Sequence, residues 1–163
     1  MHIPIGKKVE EMFSGISKKY DFLNHFLSFG IDYYWRYRLA KKVKILNPCS
    51  LMDLATGSGD VAFKLSDTLN KDCKITAIDF CKAMLDEAVY KQIKSKKYSN
   101  ISFIYGDAMN LDFEDNTFDI VTVAFGVRNF ENRNKGLREI LRILKPQGSL
   151  FVLEFSQPDT WIR

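Results

Sequence analysis

Five short apolar runs, separated by amphipathic helical stretches, constrain the fold of this chain more than any other feature of its sequence. They are Ser50–Ala55, Lys74–Ile78, Ile101–Tyr105, Asp119–Ala124 and Ser149–Phe155. Apolar residues at successive rather than alternate positions mark strands buried on both faces. Between the runs, Val61, Leu65 and Leu69 share one helical face. So do Leu85, Ala88 and Val89, and later Leu137, Ile140, Leu141 and Leu144. Lys145-Pro146-Gln147-Gly148 stops the last helix and turns the chain into the fifth run. The pattern predicts an α/β fold: a doubly wound, mainly parallel, Rossmann-like sheet covered on both sides through right-handed crossovers.

The first 45 residues have a different texture. Val9–Tyr20, Phe22–Phe29 and Tyr33–Leu46 are rich in aromatics and lysine at helical spacing, with Gly30 as a break, and predict short helices. We therefore expect a helical substrate cover over residues 1–45 and the sheet domain over residues 46–163. A net charge of +4, from 24 basic and 20 acidic side chains, does not call for nucleic acid as a partner. It is compatible with an anionic ligand or a negatively charged membrane surface, which Lys7, Lys8, Lys18 and Lys19 would assist. The three cysteines show no C-x-x-C spacing and His25 has no cysteine partner, so neither a redox pair nor a metal site is expected. No apolar run approaches the ~20 residues of a membrane span, and the first residues lack a signal-peptide core. The expectation is a soluble, cytoplasmic protein.

The chemistry concentrates at the first strand-to-helix turn, Asp53-Leu54-Ala55-Thr56-Gly57-Ser58-Gly59-Asp60. Gly57 and Gly59 allow close backbone approach to a ligand, and the helix that opens near Asp60 presents free N–H groups. A glycine pair alone also fits a plain tight turn. Asp79 ends the second run 20 residues after Gly59, where an acid can accept ribose hydroxyls. Gly106-Asp107-Ala108 ends the third run, and Asp53 lies inside the first, where a buried acid needs a partner. Acids at the carboxyl ends of adjacent strands point to a nucleoside rather than a bare phosphate. Gly57-x-Gly59-x-x-Ala62 formally fits the dinucleotide fingerprint. A pyrophosphate, however, would be repelled by Asp53 and Asp60, whereas the cationic sulfur and ammonium of S-adenosylmethionine would be attracted.

Two longer segments carry a family resemblance. Residues 20–35, Tyr20-Asp21-Phe22-Leu23-Asn24-His25-Phe26-Leu27-Ser28-Phe29-Gly30-Ile31-Asp32-Tyr33-Tyr34-Trp35, resemble the N-terminal signature of the ubiquinone/menaquinone-biosynthesis C-methyltransferases. Residues 142–156, from Arg142-Ile143-Leu144-Lys145-Pro146-Gln147-Gly148 to Glu154-Phe155-Ser156, resemble the second. Ala124-Phe125-Gly126-Val127-Arg128-Asn129 is similar to the family's segment after strand four. The resemblance covers about residues 9–158. Three positions depart from it: Leu23 stands for Met, Gln147 for Gly or Met, and Asp32 for His. The family's sheet also continues past Glu154-Phe155-Ser156 with further strands, so a C-terminally short chain with its fifth strand at an open edge is expected.

The resemblance implies S-adenosylmethionine as cofactor and C-methylation of a polyprenyl quinol, either demethylmenaquinol or 2-polyprenyl-6-methoxy-1,4-benzoquinol. It implies that Ser58, Asp79, Asp107, Ala108 and Ala124 line the cofactor with Asp53, Gly57 and Gly59 of the turn. Asp79 would take the ribose, Asp107 the adenine amino group, and Ala124 would act through its backbone. Ser58 has an alternative role as a helix N-cap. An unperturbed phenol has a pKa of about 10, so the site must stabilise a phenolate and later remove a ring proton. Arg128, which cannot give up its own proton, is expected to stabilise the phenolate beside Asn129. A water, Asp32 or His25 would then accept the proton. Tyr20, Asn24, Phe26 and Trp35 would form the cover over the acceptor, Tyr20 also counting among the catalytic residues with Arg128, Asn129 and Asp32. Peripheral contact with the inner face of the membrane and a homodimer complete the expectations. Two alternatives stand beside this reading: a phenol or sterol methyltransferase on the same scaffold, and a non-catalytic cofactor-binding fragment or subunit.

Overall fold

The computed structural model describes Met12, Ser14, Gly15 and residues 30–154. Helix α1 (Ile31–Ile45) starts behind Gly30, whose φ of 78° is left-handed. Then follow β1 (Ser50–Leu54), α2 (Asp60–Thr68), β2 (Lys74–Asp79), α3 (Lys82–Ser95), β3 (Ile101–Tyr105) and β4 (Phe118–Ala124). A 3-10 turn over Val127–Asn129, helix α4 (Arg133–Ile143) and strand β5 (Leu144–Leu153) complete the described chain.

The five strands form one parallel sheet in the order β3-β2-β1-β4-β5. The chain winds from β1 outward to β3, then returns to the other side of β1 for β4 and β5. That reversal is the doubly wound topology expected from the sequence. Side chains of β1 alternate between the two faces. Leu51 packs with Val61, Ala62 and Leu65 of α2 and with Leu39, Ala40 and Val43 of α1. Met52 and Leu54 pack with Val121 and Val123 of β4 and with Ile140 and Ile143 of α4. Helix α1 thus shares the sheet's own core, while Ile31, Tyr33, Tyr34, Trp35 and Tyr37 on its other side are exposed.

Two helix faces differ from those read in the sequence. Val61, Leu65 and Leu69 are buried together as expected, but Val89, Leu137 and Leu141 are exposed. The inward face of α4 is Gly136, Ile140 and Ile143. Glycine carries no apolar signal, yet a Cβ at Gly136 would stand 2.6 Å from the Phe130 ring. The helix turns this bare backbone inward because Phe130 fills the space.

The last strand also begins earlier than the sequence implies. Leu144 already pairs with Phe118, and the ladder resumes at Ser149 opposite Ile120 after an irregularity. Gln147 has a φ of 66° within it, a left-handed conformation that glycine adopts without strain. At Gly148 a Cβ would lie 2.8 Å from the Lys145 carbonyl oxygen. At this amino-terminal end of the sheet, Asp119 accepts hydrogen bonds from the backbone N–H groups of Cys49 and Ser50 and an ion pair from Lys145 at 2.8 Å. Burial works to raise its pKa, but the Lys145 ammonium and the Ser50 and Cys49 donors outweigh it and hold the pKa at about 2. β1, β4 and β5 are stapled there by one carboxylate.

Candidate functional site

At the opposite, carboxyl-terminal end the sheet reverses its winding between β1 and β4, so the loops after these strands diverge and leave a crevice. The loop after β1 runs through Ala55 (φ 56°), Gly57 (φ 58°) and Gly59 (φ 86°). A Cβ on Gly59 would press on Phe63, Phe103 and Ala88 at 3.0 to 3.1 Å. The loop after β4 brings Gly126 so close that a Cβ there would stand 2.5 Å from that of Ala55. Small residues on both loops set the width of the crevice.

The crevice is a cleft of about 210 Å³. Its floor is Leu54, Ala55, Gly57, Ile78 and Asp79; Phe80, Met84, Tyr105, Gly106, Asp107, Ala108 and Met109 form one wall. Ala124, Phe125, Gly126, Asn129, Phe130 and Glu131 form the other. A second hollow of about 40 Å³ adjoins it across Ala55, Gly57, Ala124 and Phe125. Its remaining lining is Arg36, Asp53, Thr56, Ser58, Asp60 and Val61.

Asp79 ends β2 and is buried. Its Oδ2 accepts from the Gly57 N–H at 2.7 Å and its Oδ1 from the Cys81 N–H at 2.8 Å. Burial raises its pKa against the opposing pull of the Cys81, Gly57 and Phe80 N–H groups. One carboxylate therefore orders the glycine turn while lining the cleft with the lone pairs it has left. Asp107 is exposed at the end of β3; its Oδ1 caps the Met109 N–H at 2.9 Å. Asp53 finds the partners that its burial demands. It stands opposite Thr122 in the β1–β4 ladder and accepts from the Thr122 and Thr56 hydroxyls at 2.7 Å each. Burial lifts its pKa to about 6, moderated by both hydroxyls.

Of the eight residues expected at the cofactor, the structure gathers seven, Asp53, Gly57, Ser58, Asp79, Asp107, Ala108 and Ala124, around the two hollows. Gly59 instead serves packing, and it is also the N-cap of α2, without a side-chain cap bond. Ser58 precedes that N-cap residue and is buried at the small hollow.

Of the acceptor-side residues, Asn129 lines the main cleft. Arg128 does not; its half-exposed guanidinium pairs with Glu154 just past β5. Asp32 is buried on α1 and lines neither hollow itself, but pairs at 3.2 Å with Arg36, which lines the smaller one. Tyr20, Asn24, His25 and Phe26 lie outside the described residues. Trp35 is exposed on α1. Sequence reasoning missed Arg36, Met84, Tyr105, Met109 and Phe130. Tyr105 was reachable as the last residue of a run; Arg36 looked like one more basic residue of a lysine-rich helix. Among the described residues no cluster of His, Cys, Asp or Glu could hold a metal ion.

Residues 4–162 match the ubiE/COQ5 methyltransferase family. The chain belongs to that family. Among its curated relatives, the ubiquinone/menaquinone biosynthesis C-methyltransferase of Geotalea daltonii is 41% identical over 94% of this chain and 65% of its own. The demethylmenaquinone methyltransferase of Thermotoga maritima is 44% identical over 94% of this chain and 64% of its own. The chain therefore spans under two thirds of the length of these family members. Among solved structures, a SAM-dependent methyltransferase from Aquifex aeolicus superposes with a TM-score of 0.62 at 25% identity, over 69% of this chain and 61% of that one.

Proposed function

We propose that the chain forms the donor-binding part of an S-adenosylmethionine-dependent C-methyltransferase acting on a polyprenyl quinol. The observation that carries this reading is Asp79, a buried acid at the carboxyl end of β2 that orders the glycine turn and opens on the cleft. Asp79 accepts the ribose hydroxyls and Asp107 the adenine amino group. Ile78, Phe80 and Met84 supply apolar contact for the base. The residues present suit the donor: its cationic end meets the buried acid Asp53, where a pyrophosphate would meet like charge, while Asp60 at the same hollow is already paired with Arg36 and Lys91.

Bound there, S-adenosylmethionine supplies an electrophilic methyl group. The chain's task is then to align a ring carbon with it, hold the ring oxygen as phenolate and receive the ring proton. Asn129 lines the cleft and orients the acceptor; Arg128, its chain neighbour outside that lining, supplies the cation that favours the phenolate once it leaves its pair with Glu154. The acceptor in this reading is demethylmenaquinol or the methoxy-benzoquinol; the relatives' names support an acceptor of ubiquinone or menaquinone biosynthesis. A polyprenyl tail calls for contact with a bilayer surface, for which α1 offers Tyr33, Tyr34 and Trp35 beside Arg38, Lys41 and Lys42. Among the described residues no helix is long and apolar enough to cross a membrane.

The test is transfer of a radiolabelled methyl group from S-adenosylmethionine to each quinol by the full-length protein. Labelled menaquinol or methylated benzoquinol is expected. Label on neither, with the donor bound, would remove the quinol; label on a simple phenol or sterol instead would favour another acceptor class.

A further inference from the structure

The small hollow holds a charge arrangement that the reading above does not use. Arg36 projects from α1 and is about nine-tenths buried. Its Nη1 donates to Asp60 Oδ2 at 2.7 Å and lies 3.2 Å from Asp32 Oδ2. Lys91 pairs with the other oxygen of Asp60 at 2.7 Å. The guanidinium is therefore held from one side by two carboxylates, one of them already neutralised by a lysine. Its Nε is sealed from solvent and has no hydrogen-bond partner among the described residues.

A buried guanidinium N–H without an acceptor is rare, because burial removes the water that would otherwise bond it. The fork formed by Nε and Nη2 is the edge of arginine that matches a carboxylate with two parallel hydrogen bonds. Here Asp32 and Asp60 use Nη1, and no acid among the described residues takes that fork. On the same hollow lies Asp53, on the α1-facing side of β1. A cation and an acid facing one small space complement a zwitterion. The hollow opens into the nucleoside cleft across Ala55, Gly57, Ala124 and Phe125, so one ligand can extend through both.

We propose that Arg36 is the anchor for the α-carboxylate of the donor's amino acid end, with Asp53 on the side of its α-ammonium. Asp32 is then a positioning residue: it holds the guanidinium by an i,i+4 ion pair so that the fork is presented to the ligand. The inference rests on the donor reading above and deepens it.

The experiment measures binding to the full-length protein by calorimetry, with S-adenosylhomocysteine and its decarboxylated analogue, 5′-deoxy-5′-(3-aminopropylthio)adenosine. The analogue lacks only the carboxylate. Unaltered protein is expected to bind it at least tenfold more weakly than S-adenosylhomocysteine. In Arg36→Met the two ligands should bind alike, S-adenosylhomocysteine having lost tenfold or more and the analogue less than threefold. Arg36→Lys, which keeps the charge but not the fork, should fall between. Equal loss of both ligands in Arg36→Met, or undiminished S-adenosylhomocysteine binding with a raised KM for the quinol, overturns the assignment. If Arg36→Met does not fold, the comparison of ligands on the unaltered protein decides, and equal affinities overturn it. Unaltered protein that binds neither ligand overturns the donor reading itself.

Discussion

Asp53, Asp79 and Asp119 are three carboxylates of one sheet with three different environments, and their neighbours decide what each can do. Asp79 accepts two backbone N–H groups, so it is as much a part of the turn as of the cleft. In Asp79→Asn the amide nitrogen must face one of those N–H groups, donor against donor. We expect a loss of about 1–3 kcal/mol in stability. We also expect at least a thirtyfold loss in S-adenosylhomocysteine affinity, read by thermal denaturation and calorimetry. A variant that keeps full affinity would remove Asp79 from the donor site. Arg128 makes the opposite case. It is half-exposed and outside the cleft lining, so its substitution should leave the fold and donor binding intact. Arg128→Lys is expected to lower kcat tenfold or more through a poorer match to the developing phenolate, with S-adenosylhomocysteine affinity unchanged within twofold. Unchanged kcat at neutral pH would remove the guanidinium from the chemistry.

Elements explain what the sequence made readable and what it hid. The strands were readable because the central β1, β2 and β4 are buried from both sides, and the part-exposed edge strands β3 and β5 still carry apolar residues at successive positions. The outward face of α4 was misread because its inward face contains Gly136. At ~100° per residue, Leu137 and Leu141 stand well round the helix from Gly136, Ile140 and Ile143, and apolarity alone points at the leucines. The donor acids were legible because the ends of parallel strands lie side by side wherever they fall in the chain. Arg36 was not, because one of its two acids, Asp60, lies 24 residues away and is brought to it only by packing of α1 on α2. Gly126 was visible only as part of the segment Ala124–Asn129; its need for glycine comes from Ala55 on another loop. Gly126→Ala should therefore force the β1 and β4 loops apart, costing about 1–3 kcal/mol and weakening S-adenosylhomocysteine binding. Gly30→Ala, where the new Cβ meets nothing within 4 Å but φ is 78°, should cost about 1–2 kcal/mol of backbone strain and leave binding alone. Thermal melts with and without ligand separate the two, and equal effects on binding would contradict a width set by Gly126.

Across the whole molecule the two ends of the sheet respond to pH in opposite senses. At the amino-terminal end Asp119 has a folded pKa of about 2, below the ~3.9 of an unfolded aspartate. The stability it contributes is complete above pH ~4 and is lost as pH falls towards 2. At the cleft end Asp53 has a folded pKa of about 6, so between pH ~4 and 6 the folded state holds a proton that the unfolded state has released. Stability therefore declines as pH rises through that window. With respect to these two groups the ligand-free protein is most stable at pH ~4, with about 2–3 kcal/mol lost on the Asp53 side by neutrality. The partly exposed Asp119 accounts for only about 1 kcal/mol on the acid side. Function gives the Asp53 limb its meaning: an ionised, destabilised acid at pH 7 is a site that a cationic ligand relieves. Urea denaturation from pH 2 to 8 should show both limbs in the unaltered protein. Asp53→Asn should flatten the limb between pH 4 and 6, and Asp119→Asn the one between 4 and 2. S-adenosylhomocysteine affinity should rise up to tenfold from pH 5 to 7 in the unaltered protein, with release of a proton on binding below pH 6, and should lose that pH dependence in Asp53→Asn. A pH-independent affinity in the unaltered protein would mean that Asp53 does not sense the ligand's charge.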